Sequence, residues 1–126
     1  MLLKTAKMLA SYKLWANKIT FSAVKELPES EVIKERKTNF KNMLSTLNHV
    51  YVIDSIFKAH LTGSPHGYTA RNTDSYPQLE ELYERQKKID QWYVEYLNSI
   101  AHYFKRLTAI STLFGNADWH LDKLAA

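Results

Sequence analysis

Imidazole carries most of the chemistry open to this chain, which holds five histidines and no cysteine, so thiolate metal sites and a thiol nucleophile are excluded. His49 is the most informative of the five. It stands in the run Leu47-Asn48-His49-Val50-Tyr51-Val52-Ile53-Asp54-Ser55-Ile56-Phe57-Lys58-Ala59-His60-Leu61-Thr62-Gly63, mid-helix among apolar neighbours, in a stretch that closes at a glycine. A neutral imidazole there is either a core or boundary group hydrogen-bonded to a neighbour or a metal ligand. His60 lies eleven residues on and nearly on the same helical face, but about 16 Å of rise separates the two and they cannot share one ion. Downstream, His102 and His120 are eighteen residues apart, and neither has an i,i+4 imidazole partner. Asp118-Trp119-His120-Leu121-Asp122 places two acids on one helical face beside an imidazole, yet a tail near a terminus preorganises ligands poorly and reads first as polar helix. Asp54 is expected to make a capping or packing hydrogen bond, the alternative being support of a metal-bound histidine. The sequence contains no Gly-rich phosphate loop, no Ser/His/Asp order in a helix–strand context and no H-E-x-x-H, so nucleotide and nucleophilic chemistry lack support.

The elements that must position these residues read as helices. Leu2, Ala6, Leu9, Tyr12, Ala16, Ile19 and Ala23 recur at three- and four-residue steps over about residues 2–27, with most lysines off that stripe, and Pro28 stops the helix. The charged stretch 29–37 reads as a connection with room for a short helical turn. A second long helix is expected from a cap at Thr38 or Asn39 to Thr62. Its buried stripe would be Phe40, Met43, Leu44, Leu47, Val50, Phe57 and Leu61, and Gly63 would take the left-handed C-terminal position. Residues 63–75 form a loop long enough to cross a bundle. A third long helix starts near Asp74 or Ser75, with Pro77 close to its first position and Glu80 and Glu81 at its positive end, and keeps helical spacing from Leu79 to Phe104. Beyond Leu107 the pattern degrades, Gly115-Asn116 punctuates it, and only a short, atypical C-terminal helical segment is expected. The aromatic load, Tyr12, Trp15, Trp92, Tyr93, Tyr96, Tyr103 and Phe104, is assigned to core packing or a self-association surface.

A length of 126 residues fits a single domain, 1–126, with one core. Apolar residues make up 45% and charged residues 24%, with three glycines and three prolines, so the composition is globular and leans towards helix. No stretch approaches the roughly 18 apolar residues of a membrane span and no signal-peptide core follows the N-terminus, so a soluble, cytoplasmic protein with no membrane partner is expected. The net charge of +4 is spread over several segments without a basic stripe, and nucleic acid is not an expected partner.

Tyr12-x-x-Trp15-Ala16-Asn17 in the first helix and Leu47, Asn48, His49, Asp54, Leu61 and Gly63 in the second resemble the DinB/YfiT-like family of small helical proteins, over about residues 1–99. The resemblance implies an all-α, up-down helical bundle of the DinB kind, here with three long helices plus the short C-terminal segment. It also implies that His49 is one of three ligands to a divalent metal, zinc or nickel, beside an H-x-x-x-H pair on a fourth helix. Relatives include metal-dependent transferases and isomerases that act with small-molecule thiols, where the ion lowers the pKa of a bound thiol or water. They tend to form homodimers through helices one and three. The H-x-x-x-H pair is not found in this sequence, where only His102 and His120 remain as additional ligand candidates. The expectation is therefore a family member with an incomplete metal site and a C-terminal third lost or replaced after about residue 100. The alternative is a non-catalytic dimeric helical scaffold that binds no metal.

Overall fold

The computed structural model describes residues 2–113, so Gly115, Asn116, Asp118, His120, Asp122 and the rest of the C-terminal segment lie outside the described residues. Within that range there are four helices and no strand: α1 (Leu2–Lys25), α2 (Glu29–Val32), α3 (Met43–Thr62) and α4 (Leu79–Leu113). The all-α expectation holds: α2 is the short turn for which the 29–37 connection has room, while the short C-terminal segment lies largely outside the described residues. The described residues divide into two compact units, one of Trp15–Ile89 and one that combines the chain up to Leu14 with the chain from Asp90.

In the Trp15–Ile89 unit the core is Phe21, Val32, Leu44 and Leu82. Phe21 stacks on Tyr83 with ring centroids 4.9 Å apart. Pro28 ends α1, as expected, and its carbonyl then accepts the Glu31 and Val32 N–H groups at 2.9 and 3.3 Å to start α2. The cap of α3 is Asn42, whose side chain accepts the Ser45 N–H at 2.7 Å. It does not fall at Thr38 or Asn39, because residues 36–42 spend their backbone groups on a tight turn. Arg36 N–H reaches Lys41 O at 2.5 Å, Lys41 N–H reaches Thr38 O at 3.2 Å, and Lys41 adopts a left-handed φ of 68°. Gly63 closes α3 at φ 67°, where the sequence places it. α4 begins at Leu79, later than Asp74 or Ser75, since Tyr76 precedes Pro77 and is kept out of the helical region by the ring.

In the other unit, the Lys13 ammonium donates to Asp90 Oδ1 at 2.8 Å, with Asp90 1% exposed. Trp92 stacks on Tyr96 at 4.8 Å and takes the edge of Tyr93 at 5.0 Å. α4 continues past Leu107 to Leu113 with no break. Thr108 there donates its hydroxyl to the Phe104 carbonyl at 3.0 Å.

The buried faces of α1 and α3 differ from the stripes read by hydrophobicity. On α1 the buried residues are Ala10 and Phe21, while Leu9, Tyr12 and Ile19 are more than half exposed. On α3 the buried residues are Leu44, Asn48, Val52 and Ala59, whereas Phe57 and Leu61 face out. The partly exposed Lys13 on α1, which reaches the buried Asp90, and the buried Asn48 on α3 are polar members that a count of apolar spacing skips. On α4, Leu82, Gln86, Ile89 and Asp90 are buried.

Lys13→Met would remove the ammonium that faces a buried carboxylate. It is expected to lower stability in urea unfolding by roughly 2–4 kcal/mol, at and below the usual range because Lys13 keeps some solvent contact. The double variant Lys13→Met/Asp90→Leu, which also removes the charge, is expected to recover much of the loss. A Lys13→Met variant as stable as the parent would contradict this role for the pair.

Candidate functional site

The first two turns of α3 and the loop 71–76 build one polar assembly. Asn48, 2% exposed, donates from Nδ2 to Asn72 Oδ1 at 2.6 Å and to Thr73 Oγ1 at 2.8 Å. Asn72 Nδ2 in return donates to the Ser45 carbonyl and hydroxyl at 3.0 and 3.1 Å, and Asn72 Oδ1 accepts the Thr73 N–H at 2.9 Å. One turn earlier, Asn42 Nδ2 donates to the Tyr76 hydroxyl at 3.1 Å. Asn and Thr are suited to this task because their short polar side chains satisfy loop backbone that has no ladder or helix to bond to.

His49 sits beside this clamp, half-buried, with its ring stacked on Phe40 at 4.2 Å between centroids and 23° between planes. Its Nδ1 lies 2.6 Å from the Arg71 carbonyl oxygen. A carbonyl only accepts, so Nδ1 carries the proton and, in the neutral ring, Nε2 holds the lone pair. Histidines that ligate metals are commonly oriented by this kind of bond from the second ring nitrogen. The same bond also satisfies the imidazole as an ordinary boundary residue. Both readings of the ring drawn from the sequence therefore have a physical basis here.

Of the other candidates, His60 shares the unit of His49 and does not join it. His60 is exposed at the far end of α3, with its ring edge-on to His66 at 5.7 Å. His102 is exposed on α4 and belongs to the unit that does not contain His49. His120, with Asp118 and Asp122, lies outside the described residues. Asp54 accepts a hydrogen bond from Gln86 Nε2 at 2.8 Å, the packing role expected of it. Among the described residues no group of three or more His, Asp or Glu side chains is placed to hold a metal ion. A three-ligand ion thus finds one matching donor in this part of the chain. Sequence reasoning missed the Arg71 carbonyl and the Asn48–Asn72 pair. The signal was present in Asn72-Thr73-Asp74-Ser75, a cluster of turn-forming side chains following a helix with an interior asparagine.

No helix among the described residues is long and apolar enough to cross a membrane. A family model described as DinB family matches residues 1–120, past residue 99, about where the resemblance in the sequence ends. No curated protein and no solved structure matches the chain.

Proposed function

Since the chain belongs to the DinB family, we propose that it is a cytoplasmic helical protein, allied to metal-dependent thiol transferases and isomerases, whose His49 offers a divalent ion one preoriented ligand. The observation that carries this reading is the 2.6 Å contact from His49 Nδ1 to the Arg71 carbonyl, which leaves Nε2 as the ligating atom. Zinc or nickel are the ions suited to an imidazole donor. Three protein ligands are the usual complement of a catalytic ion, and one imidazole does not hold an ion firmly enough to activate a small-molecule thiol. Turnover is therefore not expected of this site alone; a complete one would need His102, His120 or a second subunit.

Calorimetric titration with zinc tests this. The parent chain is expected to bind zinc weakly, and His49→Ala to weaken that binding by about tenfold or more, the effect of losing at least about 1.4 kcal/mol of ligand interaction. Equal zinc binding by the two proteins would refute His49 as the ligand.

The non-catalytic dimeric scaffold is a second reading, supported by α1. Its large apolar side chains Met8, Tyr12, Trp15 and Ile19 recur at four- and three-residue steps and are 54–62% exposed. An apolar helical stripe of that kind favours self-association. Light scattering is expected to report a homodimer, and Met8→Glu/Ile19→Glu to report a monomer. A monomeric parent chain would remove this reading.

A further inference from the structure

We propose that the cleft bounded by the C-terminal turns of α3, the loop that follows it and the second and third turns of α4 binds a small phosphorylated polyol or sugar. The cleft lies wholly within the Trp15–Ile89 unit and has a volume of about 440 Å³, which accommodates a small organic ligand. His49 is not among its lining residues, and the inference stands apart from the metal reading.

The charge of its walls is one-sided. Lys58 reaches it from α3 and Arg85 and Lys88 from α4, while none of its lining residues is acidic. Chain composition does not account for this, since 17 basic residues are accompanied by 13 acidic ones overall. Glu81, outside the lining, pairs with one guanidinium nitrogen of Arg85 at 2.5 Å, and the guanidinium has further N–H groups to donate. The negative end of α3, which would oppose an anion, is partly covered. Ala59 O accepts the Ser64 N–H at 2.9 Å, His60 O accepts the Gly63 N–H at 3.4 Å, and Lys58 O accepts the Thr62 hydroxyl at 3.0 Å.

His66 adds a directed donor. Its Nδ1 accepts the Tyr68 N–H at 3.0 Å, so the neutral ring carries its proton on Nε2. Two lysines, a guanidinium and an imidazole N–H match a phosphoryl group, which has nearly two negative charges and three acceptor oxygens. Two hydroxyls of the cleft, those of Ser55 and Thr62, have the opposite polarity. Ser55 gives its proton to the Tyr51 carbonyl at 2.8 Å and Thr62 gives its own to Lys58 O at 3.0 Å, so each oxygen keeps accepting capacity, that of Thr62 shared with the Ser64 hydroxyl at 3.1 Å. Such oxygens accept from ligand hydroxyls. A phosphoryl group joined to a hydroxylated body satisfies both halves, which inorganic phosphate and a neutral sugar each do only in part.

The test is calorimetric titration of the full chain at low salt with glucose 6-phosphate, inorganic phosphate and glucose as probes. Glucose 6-phosphate is expected to bind most tightly. Arg85→Gln/Lys88→Gln should weaken it by about tenfold or more, as loss of charge-assisted contacts does. Lys18→Gln/Lys37→Gln, which removes the same charge elsewhere, should leave it unchanged. Ser55→Ala should weaken glucose 6-phosphate and spare inorganic phosphate. Amide shifts in the parent chain should fall on residues 64–68. The proposal is overturned if glucose 6-phosphate binds no better than inorganic phosphate, if the two double variants lose binding equally, or if the shifts lie elsewhere.

Discussion

The structure depends on polar groups that α4 buries one turn apart. Gln86 and Asp90 are each 1% exposed, and each requires a partner because an uncompensated buried amide or carboxylate costs several times what a satisfied one contributes. Gln86 finds Asp54 on α3, and Asp90 finds the Lys13 ammonium on α1. These bonds add little net stability. Their effect is on register, since rotating or sliding a helix that carries such a group would strand it, whereas a purely apolar face tolerates many arrangements.

That constraint explains which parts of the fold were legible in the sequence. Helix existence, the Pro28 stop and the Gly63 closure follow from local chemistry, and the structure places them accordingly. The inward faces of α1 and α3 do not follow from apolar spacing, because the partly exposed Lys13 turns to the buried Asp90 and Asn48 stands in the interior, while Tyr12, Trp15, Phe57 and Leu61 stand outside it. The start of α3 was displaced for a related reason. The turn at residues 36–42 satisfies its own backbone, with Lys41 in a left-handed conformation that its residue type does not advertise. Resemblance to the DinB family identified the fold from side chains whose spacing alone says less, and the family match bears it out.

The candidate site was legible in its address and not in its construction. His49 could be picked out as a helical imidazole among apolar neighbours. What orients it is a backbone carbonyl in a loop 22 residues away, held there by asparagine and threonine bonds that no periodicity encodes. The cationic cleft was illegible for the same reason. Lys58, His66, Arg85 and Lys88 are separated along the chain and converge only once α3, its loop and α4 pack.

The loop that follows α3 holds the His49 ring in one tautomer, with the proton on Nδ1. Long-range 1H–15N correlation of the histidine rings, in mildly alkaline, metal-free buffer, tests it most directly. His49 is expected to carry its proton on Nδ1, with Nε2 resonating as an unprotonated nitrogen. A ring protonated on Nε2, the form that free imidazole side chains favour, or one averaging between the two, would contradict it.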